Sequence, residues 1–156
     1  MDVPNYVAAI ASGKYEKAVD IIRERNPFPA VCGRICIHPC ETKCRRGELD
    51  EPVAIRSLKR FASDWYFERI GRAEEPFPLT KKQKVAVVGA GPAGLTCAYF
   101  LAIEGYQVTV FEKLPVLGGM LTVGIPSYRL PRDSIESEIQ IIKDLGVQFK
   151  TGVELG

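Results

Sequence analysis

Four cysteines within thirteen residues, Cys32, Cys36, Cys40 and Cys44, are the side chains of this 156-residue chain best suited to hold a metal. Thiolate sulfur is a soft ligand, and four thiolates are the usual holders of a four-iron cluster or a structural zinc. The every-fourth-residue spacing matches neither the common bacterial ferredoxin run nor the paired CxxC of zinc ribbons, so it leaves the metal open. Reduced cysteines serving as small apolar residues are a third reading. Arg34, Lys43, Arg45 and Arg46 would offset the negative charge of a thiolate cluster. His38, the only histidine, is either a ligand or a hydrogen-bonding loop residue.

A second constellation, Val85-Ala86-Val87-Val88-Gly89-Ala90-Gly91-Pro92-Ala93-Gly94, reads as a dinucleotide cradle. Gly89 permits the tight turn out of a strand, Gly91 lets the backbone approach a pyrophosphate, and Gly94 lets a helix lie close on that strand. Pro92 suits the first helical position, where a missing N–H costs nothing. The phosphates would sit at the helix N-terminus, which favours negative charge. A second strand, Gln107 to Phe111, ends in Glu112, 18 residues beyond Gly94, close to the spacing of a carboxylate that holds ribose hydroxyls. Leu117-Gly118-Gly119-Met120 adds a second glycine turn that can let the backbone approach a cofactor.

These groups need elements to position them. Residues 3 to 25 predict two helices, with Val3, Tyr6, Val7 and Ile10 on one stripe and Tyr15, Ala18, Ile21 and Ile22 on the next. Asn26-Pro27-Phe28-Pro29 ends the second. After the cysteines, Asp50-Glu51-Pro52 starts a long helix, with Pro52 in its first turn and acids at its positive end. Ile55, Leu58, Phe61, Ala62, Trp65 and Ile70 form its apolar stripe; Arg56, Lys59, Arg60, Asp64 and Glu68 face elsewhere. Past the glycine turn, Leu95, Ala98, Tyr99 and Ala102 face a sheet, Cys97 is expected to be a small buried residue, and Gly105 closes the helix. A further helix carries Ile135, Ile139, Ile142 and Leu145 and stops at Gly146, before a third strand over 147–150. The expected domains are 1–72, a proline-bearing linker at 73–83, and 84–156.

Composition sets the outer limits. An apolar content of 46% makes the chain globular, with room for one sizeable core or two small ones. No apolar run approaches the roughly 18 residues of a membrane span, and the Met-Asp-Val-Pro start lacks the features of a signal peptide. A cytoplasmic protein is expected, where thiols stay reduced, so the cysteines do not read as a disulfide framework. A net charge of +2 gives no case for nucleic acid.

Taken together, the motifs resemble a known family. Cys32-Gly33-Arg34-Ile35-Cys36, Pro39-Cys40-Glu41, Cys44 and Glu51-Pro52-Val53-Ala54-Ile55 are similar to the iron–sulfur domain of the glutamate synthase small-subunit family, also found at the front of dihydropyrimidine dehydrogenase. Val87 to Leu95, Glu112, Gly118-Gly119-Met120 and Gly124-Ile125-Pro126 continue the likeness into its flavin-binding domain. The resemblance implies an α+β chain: an N-terminal all-α iron–sulfur domain followed by a partial doubly wound, Rossmann-like FAD-binding domain. It implies FAD held by Gly89, Gly91, Pro92, Ala93, Gly94, Glu112, Lys113, Gly118 and Gly119, and a 4Fe-4S cluster as the metal group. It further implies electrons taken from NADPH and passed to an electron-accepting subunit such as the glutamate synthase large subunit. No side chain is implied as an acid or base.

Two departures qualify that expectation. A further cysteine group that family members carry upstream is absent from residues 1–156, so one cluster on Cys32, Cys36, Cys40 and Cys44 is possible but two complete family-type clusters are not. Cys36, Cys40 and Cys44 match ligand positions; Cys32 matches a cysteine not generally assigned as a ligand, and the polar position on the next helix matches Lys59, a poor ligand while protonated. The sequence also ends after the third strand, without the NADPH domain. Alone it is expected to be inactive, and either to associate with a second copy through its incomplete sheet or to be only marginally stable. The alternative is a non-catalytic zinc- or cluster-bearing docking module with an empty nucleotide turn.

Overall fold

The computed structural model describes residues 1–71 and 76–154. They fall into two compact units, Met1–Gly71 and Arg72–Gly156. Residues 73–75 of the expected linker lie outside the described residues. From 76 to 83 the chain forms neither helix nor strand, and the Thr80 and Lys81 amides both donate to the Gly105 carbonyl.

The first unit is helical. Its helix α1, Val3–Ala11, is capped by Asp2, which accepts from the Asn5 amide at 3.2 Å. Gly13, at φ +72°, turns the chain into α2, Tyr15–Arg23. There follow α3 (Pro29–Ile35), α4 (Pro39–Thr42), a 3-10 turn at Arg45–Glu48, and α5 (Ile55–Arg69). The core is made where Tyr6 and Ala9 of α1 and Ala18, Val19 and Ile22 of α2 meet Ile55, Ala62 and Tyr66 of α5. Burial of large side chains such as Ile22 contributes about 1.5–3 kcal/mol each. Helix α3 lies against α5 so closely that a Cβ on Gly33 would come 2.7 Å from the Arg60 Cα.

Helix α5 differs from its sequence expectation at its start and on its buried face. It begins at Ile55 with Ala54 as N-cap, so Asp50, Glu51 and Pro52 precede it. The Asp50 carboxylate is taken by Arg46 and by the Glu51 amide and does not serve the helix. The buried positions are Ile55, Lys59, Ala62, Ser63 and Tyr66. Lys59, expected outside, is only 8% exposed, whereas Phe61, expected inside, is 46% exposed and packs edge-on against the Tyr15 ring. Lys59 stands one turn before Ser63 on the buried face of α5, which packs on α1, α2 and α3.

The second unit is a parallel βαβ arrangement. Strand β1, Lys84–Val88, leads into α6, Pro92–Ile103, then β2, Gln107–Glu112. The short α7 (Met120–Val123), α8 (Arg132–Asp144) and β3 (Gln148–Thr151) complete it. The sheet order is β1-β2-β3, with Val87 level with Val110 and Val110 level with Phe149. Leu95, Ala98, Tyr99 and Ala102 of α6 are buried, as are Ile135, Ile139 and Ile142 of α8. Cys97 is exposed, against expectation, because it stands off the α6 face that carries Leu95, Ala98 and Ala102. Val147 is buried but precedes β3, which starts one residue later than expected. Among the described residues β1 pairs on one side only, and Val88 at its end is 68% exposed. No helix among these residues is long and apolar enough to cross a membrane.

Candidate cofactor sites

The turn between β1 and α6 has the shape a dinucleotide requires. Gly89 adopts φ +93°, a region that L side chains rarely enter. A Cβ on Gly94 would fall 1.9 Å from the Gly89 carbonyl oxygen, so only glycine lets α6 sit this close to the turn. Pro92 is the first helical residue and Gly91 the N-cap, and no side chain caps the helix. The amides of Ala93 and Gly94 therefore have no partner within the helix. Nothing lies within 4 Å of a Cβ built on Gly91, the N-cap. Uncapped amides at the positive end of a twelve-residue helix fit an anion such as a pyrophosphate.

Glu112 closes one side of this turn. It is 8% exposed, and its Oε2 accepts from the Ala90 amide at 2.6 Å while Oε1 accepts from the Leu114 amide at 2.8 Å. These donors, Leu114 first, hold its carboxyl below the usual carboxylate range. A carboxylate offers about four acceptor sites, so beyond its backbone bonds it can still accept from a ribose. Lys113 turns away and pairs with Glu154.

The second glycine pair joins the first. The Gly118 amide donates to the Ala90 carbonyl at 2.8 Å, and a Cβ on Gly119 would meet the Gly91 Cα at 2.9 Å. Gly118 and Gly119 both have positive φ, at +102° and +54°. Residues 118–119 thus form a second wall of the cradle, 24 residues beyond Gly94 at their nearer end. Arg132, to which no motif gives a role, fixes the loop beyond by donating to the Leu121 and Ile125 carbonyls at 3.1 and 3.0 Å. Its place in the first turn of α8 carries no sequence signal for this role.

In the helical unit Cys32 lies on α3, Cys36 is its C-cap, Cys40 lies on α4, and Cys44 precedes the 3-10 turn. No disulfide joins them. Among the described residues no three His, Cys, Asp or Glu side chains converge to hold a single metal ion. A four-iron cluster spreads its ligand sulfurs around a much larger core than one ion, and the donor chemistry of four thiols on one short segment suits it. The Cys36 sulfur accepts from the His38 amide at 3.3 Å. Amides of Val53, Arg46 and Gly47 face the Cys44 sulfur and lower its thiol pKa, the Val53 amide most strongly. Such N–H donors to sulfur favour the thiolate that a cluster needs.

Both nitrogens of His38 turn toward this segment's own groups: Nδ1 lies 3.2 Å from the Cys36 carbonyl and Nε2 3.6 Å from Glu41 Oε2. Arg34 donates to Asp64 at 2.6 Å and Arg46 pairs with Asp50, so their charge is matched by carboxylates already present; Lys43 and Arg45 are exposed. Three residues not singled out by spacing surround the cysteines. Glu41 accepts from the Arg56 amide at 2.7 Å, the Arg56 guanidinium donates to the Cys36 carbonyl at 3.3 Å, and the Tyr6 hydroxyl donates to the Ile55 carbonyl at 3.3 Å. Burial, and then the nearby Cys40, Glu41 and Cys36, push the Tyr6 phenol above its ordinary range.

Residues 1–70 match the family model described as dihydropyrimidine dehydrogenase domain II, 4Fe-4S cluster, and residues 87–148 match an NAD(P)-binding Rossmann-like domain. The whole chain aligns at 49% identity with the NADP(+)-dependent formate dehydrogenase subunit beta of Moorella thermoacetica, over 25% of that protein. The chain is similar to the iron–sulfur and NAD(P)-binding domains of such redox-enzyme subunits. Another similar protein is the NADPH-Fe(3+) oxidoreductase subunit beta of Geobacter sulfurreducens, 48% identical over 100% of this chain and 24% of that one. The NAD-dependent dihydropyrimidine dehydrogenase subunit PreT of Salmonella typhimurium is 38% identical over 99% of this chain and 38% of its own. The chain thus spans about a quarter of the length of the first two oxidoreductases and over a third of the last.

Proposed function

We propose that this chain is the flavin- and iron–sulfur-bearing module of an NADPH-dependent oxidoreductase, passing electrons from NADPH through FAD and a four-iron cluster to a partner subunit. The observation that carries the proposal is the continuous cradle from Gly89 to Gly119, with the Glu112 carboxylate at its edge, in one chain with the four-thiol segment. When bound, the flavin supplies exchange between hydride and single-electron chemistry, and the cluster supplies single-electron relay.

The chain's own part is to bind and orient. Gly91, Pro92, Ala93 and Gly94 present the open helix N-terminus to a pyrophosphate, and Glu112 offers its remaining lone pairs to a ribose. Gly118 and Gly119 give a second backbone wall, a feature that favours an extended cofactor such as FAD over a nucleotide held by the first turn alone. Cys36, Cys40 and Cys44, with Cys32, supply sulfur to the cluster. The relatives named as beta subunits support an electron-accepting partner, and the glutamate synthase large subunit is the instance the motif resemblance offers. The one-sided β1 strand supports self-association of the chain by itself.

Anaerobic purification followed by absorption spectroscopy and metal analysis tests this reading. Flavin bands together with about four irons per chain are expected. Zinc with no flavin would replace it with a docking module whose nucleotide turn is empty.

A further inference from the structure

Helix α5 lacks a cap of its own. Its N-cap, Ala54, has only a methyl group, and no side chain local to it accepts from the first turn. The acceptor comes from fifteen residues earlier: Glu41 Oε1 takes the Arg56 amide at 2.7 Å. Glu41 directly follows Cys40. The same end of α5 also reaches Cys36 and Cys44, through the Arg56 guanidinium on the Cys36 carbonyl and the Val53 amide facing the Cys44 sulfur. Tyr6, fully buried in the core, also holds that end through the Ile55 carbonyl. Residues 53–56 therefore hold the main chain or sulfur of Cys36 and Cys44 directly, and that of Cys40 only through its neighbour Glu41.

We propose that Glu41 is a positioning residue for the cluster ligands: by capping α5 across the fold, it sets where Cys40 stands relative to Cys36 and Cys44. The proposal rests on the reading that these cysteines hold the cluster. The acceptor bond, more than the charge, does this work, because the partner is a backbone amide. An amide oxygen at the same place would preserve it, and a methyl group would abolish it.

The full chain, purified anaerobically as wild type, Glu41→Gln and Glu41→Ala, supplies the test. Iron release to a chelator is followed together with the thermal transition of α5, reported by Trp65, the only tryptophan in the chain. Loss of a group that orients metal ligands typically weakens metal retention about 10–100-fold. Glu41→Ala is expected to release iron faster by about that factor, and Glu41→Gln to stay within about threefold of wild type. A third protein, Glu41→Ala with Ala54→Ser, gives α5 a local cap. It is expected to recover the Trp65 transition while still releasing iron quickly, which separates positioning from helix stability. Recovery of both would show that Glu41 serves only the helix and would overturn the proposal. So would a loaded Glu41→Ala protein that retains iron as the wild type does. A wild type carrying neither iron nor acid-labile sulfide would remove the cluster reading itself, and the proposal with it.

Discussion

Replacing Glu112 with glutamine removes a single charge at nearly constant shape, and the geometry around it sets the cost. Both carboxylate oxygens accept from buried backbone amides, Ala90 at 2.6 Å and Leu114 at 2.8 Å. A glutamine has one acceptor oxygen and one donor nitrogen, so in either orientation its NH2 faces an N–H. Hydrogen bonds to a charged group contribute about 1.5–3 kcal/mol each, and a buried amide left unpaired costs about 1–3 kcal/mol. Glu112→Gln should therefore destabilise the second unit by roughly 2–4 kcal/mol at neutral pH. The assay is urea unfolding monitored by far-UV circular dichroism, with exchange of the Ala90 and Leu114 amides as a local probe. Tryptophan fluorescence would miss the effect, since Trp65 lies in the helical unit. The pH dependence has a definite sign. The folded carboxyl titrates below its ordinary value of 4.5, so its contribution is complete above that pH and is lost as pH falls through the lower folded value. The gap between wild type and Glu112→Gln should narrow over that same interval. A gap under about 0.5 kcal/mol at pH 7 would refute the reasoning, being no more than an ordinary surface substitution costs. A gap unchanged from pH 7 into the acid range would refute it equally.

Gly94→Ala drives a methyl group into the Gly89 carbonyl, a backbone atom with little room to move; a loss of about 1–3 kcal/mol or more in urea unfolding is expected, with flavin retention falling in parallel. Arg132→Met removes both donors to the Leu121 and Ile125 carbonyls while keeping most of the side chain's bulk. Faster amide exchange over residues 119–130 is expected, and unchanged exchange there would contradict the anchoring role. Val88→Lys places a charge at the open end of β1, and sedimentation should show less self-association than the wild type; a wild type that sediments as a monomer at all concentrations would remove the premise.

Much of the second unit was legible because its constraints are local. Gly89 and Gly94 are demanded by one turn, and α6 announces its face through Leu95, Ala98, Tyr99 and Ala102, all buried. The helical unit was harder to read, since long-range contacts decide its details. The apparent start of α5 at Pro52 failed because Arg46 claims Asp50 and because the cap comes from Glu41. Lys59 is buried against its charge pattern, since the face of α5 is chosen jointly by α1, α2 and α3. Spacing pointed to Glu112 as an expected ribose ligand, yet its bond to Ala90 was invisible: no sequence rule assigns a side chain to an amide on a turn 22 residues away. The loss of Cys97 from the core has a simpler cause, its place between the α6 stripe positions.

The cap that Glu41 gives to α5 bears on how this segment can be reused. The run from Cys32 to Cys44 looks portable, a short cassette to be grafted wherever an electron carrier is wanted. It contains only half of its own scaffold. The other half lies at Val53 to Arg56, and a host helix with a serviceable cap of its own would have no use for the Glu41 carboxylate and no reason to hold it in place. A graft that carries residues 32–56 with the cap-less Ala54 intact would keep the two halves dependent on each other. That dependence also ties inheritance of the cysteines to that of the helix start, so the two would be expected to be kept or lost as one unit.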